Sequence, residues 1–208
     1  MLNKEPKTKK NIWVKWEPPK INTYKLNTDG AATGNPGRGG LGGVFRNASE
    51  NSVLGYMDSI QYTTNTHAKL LAILKGLQLT EERQFTPLEI NTNSTEVIRM
   101  LINGNLPFDS LIHECRSIVQ RLSAVIHSYR ETSKVADLLA KKGTNKNFFE
   151  DIFVTTVPLV FVKHVFWADI VGTVFERQIM DCNITNDSQV VGDLIYPPAN
   201  NPSVNPNG

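Results

Sequence analysis

The clearest periodicity in the chain runs from residue 66 to about residue 83. Leu70, Ile73, Leu74 and Leu77 recur there at helical spacing with no proline between them. That spacing predicts an amphipathic helix. Upstream the pattern changes to that of strands. Residues 24–28 alternate and deliver Asp29 at a strand edge, and a glycine-rich turn follows at once. Residues 39–45 and 53–60 read as two further strands, joined by a polar turn at 47–51. In the second of these, Val53, Gly55 and Met57 alternate with Leu54, Tyr56 and Ile60, which predicts a sheet with one face covered.

Beyond the long helix, residues 88–92 form a short strand and Ser94 is placed to cap a second helix. That helix has Val97, Ile98, Leu101 and Ile102 as its apolar face and ends near Gly104. Pro107 opens a third helix with Leu111, Cys115, Ile118 and Leu122 on one side. Residues 124–129 read as a fifth strand, and residues 134–142 as a last helix stopped by Gly143. This order is that of an α/β domain.

Four short motifs sit on these elements. They are Lys25-Leu-Asn-Thr-Asp29-Gly-Ala31 with Gly34-Asn-Pro-Gly37, Thr64-Asn-Thr-His-Ala-Lys69-Leu70, Thr92-Asn93-Ser94, and Val135-Ala-Asp137-Leu-Leu-Ala140. In content and order they resemble the ribonuclease H family, in particular the retrotransposon-related ribonuclease H-like proteins of plants. The resemblance covers residues 13–143 and implies a ribonuclease H-like fold, a five-stranded mixed sheet with helices on both faces. The loop 127–134, His-Ser-Tyr-Arg-Glu-Thr-Ser-Lys, is similar to a plant pattern, with Ser133 in place of the usual Asn.

The resemblance also implies a site. In the family two Mg²⁺ ions are held by four carboxylates, and the metals clamp the attacking and leaving oxygens during hydrolysis of RNA in an RNA–DNA hybrid. Asp29 and Asp137 fill the first and fourth positions and are the only metal ligands carried over. Lys69 stands where the family has Glu, and Asn93 where it has Asp. Two Mg²⁺ beside two carboxylates and an ammonium would leave a charge of about +3 uncompensated. Metal binding is therefore expected to be weak or absent. A Lys69 ammonium between Asp29 and Asp137 would instead relieve their repulsion. Glu89, Glu96 and Glu131 are poor replacements for the missing acids.

The substrate-facing positions are kept better. By resemblance Gly30, Gly34, Asn35 and Gly37 lay backbone N–H groups against an RNA strand, and Asn65 reaches 2′-hydroxyls, the groups that distinguish a hybrid from DNA. The same residues also suit a plain tight turn. His67 and His127 are expected to serve helix surface and strand packing.

Composition bounds the rest. A chain of 208 residues with 40% hydrophobic content fits one domain with an extension. No run approaches the roughly 18 apolar residues of a membrane span, and no apolar signal segment opens the chain. Cys115 and Cys182 suggest a reducing, intracellular setting, cytoplasmic or nuclear. The net charge of +2 is uneven, with residues 1–20 carrying six Lys against Glu5 and Glu17. Residues 1–20 therefore read as a disordered basic lead-in, and residues 21–146 as the ribonuclease H-like domain. Residues 147–182 form an apolar extension that either packs on the core or binds a protein partner through 148–180. Residues 183–208, rich in Asn and Pro, read as a disordered tail.

The reading that follows is a catalytically defective ribonuclease H-like domain that binds RNA–DNA hybrid or RNA. Two alternatives stand beside it: an active hybrid ribonuclease with a depleted metal site, and a protein-interaction module on the same scaffold.

Overall fold

The structure, a computed structural model, describes residues 9–145 and 152–180. Its centre is a mixed sheet built from β2 (Tyr24–Gly34), β3 (Gly37–Arg46), β4 (Ser52–Thr63), β5 (Leu88–Thr92) and β6 (Ser123–His127). These are the five expected strands, ordered β6-β5-β2-β3-β4 in space, with β2, β3 and β4 antiparallel and β2, β5 and β6 parallel. A sixth strand, β7 (Phe153–Thr155), comes from the C-terminal extension and pairs with the edge of β4. The glycine-rich segment after Asp29 is not a turn through most of its length. β2 continues to Gly34 and β3 starts at Gly37, leaving Asn35 and Pro36 as the tip of a hairpin.

Among the described residues five α-helices flank the sheet: α1 (Asn65–Arg83), α2 (Thr95–Asn103), α3 (Asp109–Leu122), α4 (Lys134–Thr144) and α5 (Lys163–Ile170). Thr64 caps α1, its side chain accepting the His67 N–H at 3.2 Å, and Gln84 ends the helix in the left-handed conformation. Ser94 caps α2 in the same way through Val97. The helices divide between two faces. Leu70, Ile73 and Leu77 of α1 join Val97 of α2, Ile112 of α3, and Leu26, Phe45 and Ile90 of the sheet in the main core. Each such side chain, fully buried, stabilises the fold by about 1.5–3 kcal/mol. On the opposite face α4 lies directly on β3, because a Cβ at Gly42 would run into the backbone of Leu139 and Ala140. Val44, Met57, Val135 and Leu139 pack there with Val162 of the extension.

The two chain ends depart from the sequence reading. Residues 9–14, expected to lie in a disordered lead-in, form β1 (Lys9–Val14), which pairs antiparallel with β8 (Phe175–Met180). Arg46 fixes the adjoining segments. Its guanidinium lies between the rings of Trp16, at 4.4 Å, and Phe166, at 4.5 Å, and Nη2 donates to Asp169 Oδ2 at 2.7 Å. Both members of this pair are 1% exposed. Burial pushes the Asp169 carboxyl up and the Arg46 guanidinium down, against their mutual attraction. Further along, Lys134 sits over the Phe175 ring and Arg177 over the Tyr129 ring. The described part of the extension is therefore a layer of the domain. Residues 1–8, the tail at 183–208 and Cys182 lie outside the described residues. No helix among the described residues is long and apolar enough to cross a membrane.

Candidate functional site

Three of the four positions singled out in the sequence meet at one end of the sheet. Thr28 pairs with Thr92 across the parallel strands β2 and β5, so Asp29, still within β2, and Asn93, just past the end of β5, lie side by side. Lys69 comes from the second turn of α1. The helix can approach because Gly30 has no side chain; a Cβ there would collide with the backbone of Ala68 and Lys69. The result is a closed ring of charge-assisted bonds. The Lys69 ammonium lies against Asp29 Oδ1 and donates to Asn93 Oδ1 at 2.6 Å, while Asn93 Nδ2 donates to Asp29 Oδ2 at 3.0 Å. The Gly30 N–H adds a bond of 2.8 Å to Asp29 Oδ1. The Asp29 side chain is 4% exposed and that of Lys69 19%.

Asp137 does not share Lys69, contrary to the expectation of one ammonium between both aspartates. It stands in the first turn of α4, where Arg130 Nη2 reaches its Oδ1 at 2.9 Å and Lys141 Nζ its Oδ2 at 2.7 Å. Burial alone would raise its pKa, but bonds from Lys141 and Arg130 outweigh this and hold the carboxyl below the usual range. Asp137 in turn raises the Arg130 pKa, with a smaller contribution from Asp29. Arg130 thus links the two halves of the site through its field. Neither cation was given a role in the sequence reading. Lys141 carried a signal, since it lies four residues beyond Asp137 on a helix; Arg130 lay in the loop 127–134 that matches the plant pattern.

The remaining acids are engaged elsewhere. Glu89 pairs with Lys25 at 2.8 Å, Glu96 accepts from Thr66 at 3.0 Å, and Glu131 receives Arg177 Nη1 on both oxygens at 2.9 and 2.7 Å. Among the described residues no three His, Cys, Asp or Glu side chains gather as a metal cluster.

Of the positions expected to face substrate, Gly34, Asn35 and Gly37 form the hairpin tip and Asn65 its tether, whereas Gly30 is buried beneath α1. Gly34 takes a left-handed φ of 86°, which glycine adopts without strain. A Cβ at Gly37 would strike the Thr33 carbonyl. Asn35 Oδ1 accepts the Asn65 N–H at 3.0 Å, and Asn65 Oδ1 accepts the Ala32 N–H at 2.8 Å. The two amides thus fasten the exposed tip to the start of α1. His67 bonds Thr63 Oγ1 at 3.0 Å through Nδ1 and stacks on Phe108, and burial lowers its pKa. The His127 side chain lies outside the described residues.

Against this geometry the comparisons with known proteins are direct. Residues 27–143 match the family described as reverse transcriptase-like, more than half of the chain. The chain belongs to the reverse transcriptase-like family. A candidate ribonuclease H protein of Arabidopsis thaliana is 30% identical over 132 residues, covering 61% of this chain and 21% of that protein. The chain therefore spans about a fifth of that relative's length. Among solved structures, ribonuclease H1 of the halophilic archaeon Halobacterium salinarum superposes with a TM-score of 0.56 at 23% identity. It covers 59% of this chain and 98% of its own. LC11 ribonuclease H1, isolated from compost and solved with an RNA/DNA hybrid, gives 0.53 at 23% identity, covering 59% and 97%. These likenesses establish the ribonuclease H fold.

The members of this fold family work with divalent metal, and the donors present here do not fit two such ions. Mg²⁺ needs oxygen ligands in near-octahedral array. An ion between Asp29 and Asn93 would have to displace an ammonium already bonded to both. At Asp137 both carboxylate oxygens are held by cations.

Proposed function

We propose that this chain is a ribonuclease H-fold domain that binds RNA–DNA hybrid or RNA and has lost two-metal hydrolysis. The observation that carries the reading is the Lys69 ammonium, bonded at once to Asp29 and Asn93 in the place that family membership assigns to metal ligands. The cation supplies the charge balance that Mg²⁺ would supply, without the Lewis acidity or the metal-bound nucleophile that hydrolysis requires. The binding half of the proposal is supported by the intact hairpin tip at Gly34–Gly37, tied to Asn65. The solved relative with a bound RNA/DNA hybrid uses the same fold. In origin the domain reads as plant and retroelement-derived, in keeping with its Arabidopsis relative.

The test is cleavage of a labelled RNA–DNA hybrid in Mg²⁺ and Mn²⁺ beside hybrid, RNA and duplex DNA binding at several salt concentrations. The proposal expects cleavage no faster than a mock preparation. It expects modest, salt-sensitive binding that favours RNA-containing duplexes. Cleavage that disappears in Asp29→Asn would replace this reading with an active nuclease on a depleted site. A protein-interaction role is the second reading, favoured by Val160, Trp167 and Val171 of the extension, which are 81%, 65% and 65% exposed. Absence of nucleic-acid binding at low salt would leave that role in its place.

A further inference from the structure

The extension does more than cover α4. Between α4, the turn before it and α5 lies a cavity of about 350 Å³. Arg130, Lys134 and Lys141 line it from the domain, and His164 and Val165 from the extension. Lys134 and Lys141 stand two turns apart on α4 with Leu138 between them, so both amino groups flank the same side of the helix. The carboxylates in the wall do not cancel this charge. Glu131 is neutralised by Arg177, and Asp137 is shared between Arg130 and Lys141. One surplus positive charge remains on that triad and a second on Lys134, which rests on the Phe175 ring.

We infer that this cavity binds a phosphoryl group carried on a sugar, that is, a nucleotide phosphate. Three cationic side chains, Arg130, Lys134 and Lys141, line this one pocket, and their N–H groups suit a tetrahedral anion with several acceptor oxygens. The apolar walls, Leu138 and Val165, suit the attached ribose, and the volume falls at the small end of ligand pockets, about 300–1,000 Å³. α5 contributes one wall of the pocket through His164 and Val165. The inference does not depend on hydrolysis or on hybrid binding at the Asp29–Lys69 ring.

Titration of adenosine monophosphate into the ¹⁵N-labelled full chain, followed by amide shifts, tests it. The expected result is saturable shifts confined to residues 130–141 and 163–166. Lys134→Gln and Lys141→Gln should each weaken binding by about tenfold, the usual effect of losing one charged donor. His164→Ala, on an exposed position of α5, reports the same wall without touching α4. Lys20→Gln, an exposed lysine outside the pocket, serves as control and should change nothing. Competition then separates the sources of phosphate. Displacement of the nucleotide by an RNA–DNA hybrid would assign the pocket to a strand backbone, whereas binding that the hybrid does not displace would assign it to a free nucleotide; both support a phosphoryl site. Shifts that never saturate, that spread over all lysine-bearing surfaces, or that Lys20→Gln weakens as much as Lys134→Gln would overturn it.

Discussion

Restoring the two lost acids, Lys69→Glu together with Asn93→Asp, puts the charge-replacement argument to a quantitative test. Without metal the double variant should be much less stable. It removes the cation from a carboxylate that is 4% exposed and sets two further negative charges beside it. Breaking a buried pair costs about 3–5 kcal/mol; with Lys69 19% exposed, solvent screens part of this, and about 2–4 kcal/mol remains. At roughly 2–4 °C per kcal/mol for a chain of this size, melting should fall by about 4–16 °C. Mg²⁺ should then recover much of the loss. An ion present at a hundredfold excess over its Kd contributes about 2.7 kcal/mol, or roughly 5–11 °C. The unaltered chain, with its ammonium in place, should gain nothing comparable. Thermal melts followed by circular dichroism, in Mg²⁺ and in Na⁺ at equal ionic strength, give all four values. If the unaltered chain gains as much from Mg²⁺ as the variant, the claim that Lys69 replaces metal is wrong. If the variant shows no metal-dependent recovery, the backbone around the four positions is no longer arranged to coordinate an ion.

Other outcomes follow from features away from that ring. Asp169→Ala leaves the Arg46 guanidinium buried without its partner and should cost about 3–5 kcal/mol in urea denaturation. Arg46→Met with Asp169→Leu should restore most of that loss, and failure to do so would show that the Trp16 and Phe166 stacking matters more than the charge pair. Because the folded-state pKa of Asp137 is depressed, its contribution to stability is complete above the ordinary carboxylate pKa of about 4 and is lost as pH falls through the lower folded value. The stability difference between the unaltered chain and Asp137→Asn should therefore be constant near neutrality and shrink only in acid, a comparison made by urea titration at several pH values. Gly30→Ala forces a methyl group against the backbone of α1 and should destabilise by about 3 kcal/mol or more, while disturbing the seat of Lys69. An unchanged melting temperature would mean that helix and strand separate more easily than their contact suggests.

How far the sequence carried these conclusions depended on the range of the interactions involved. The long helix was legible because its signals are local: apolar residues at helical spacing and no proline. Asp29, Lys69, Asn93 and Asp137 were legible as a set through motif order, which reflects the same sheet topology that brings them to one end. The partner of each was less so. A lysine extended from α1 reaches Asp29 and Asn93 because Gly30 lets the helix close on the strand, while Asp137, on the opposite helix layer, finds Arg130 and Lys141 first. Gly30 read as part of a turn because glycine suits turns, but here it gives α1 room to touch the sheet backbone, as Gly42 in the expected strand 39–45 does for α4. The pairing of β1 with β8 left no local trace, since Lys9–Val14 is short and half polar and its partner lies far along the chain.

That pairing has a consequence for the order in which the protein is made. Asn11 and Glu176 hold each other although they stand 165 positions apart in the chain, so β1 leaves the ribosome long before any partner strand exists. The sheet from β2 to β6 with α1–α4 is complete in sequence at Thr144 and can begin to assemble while the remainder, including Asp169 that pairs with buried Arg46, is still being synthesised. Loop closure over so long a span is the slowest kind of contact to form. The β1–β8 ribbon should therefore be the last piece to set, fastening a body already folded beneath it. A chain interrupted before Phe175 would keep that body and leave β1 as a bare strand edge, the kind of surface on which nascent chains stick to one another.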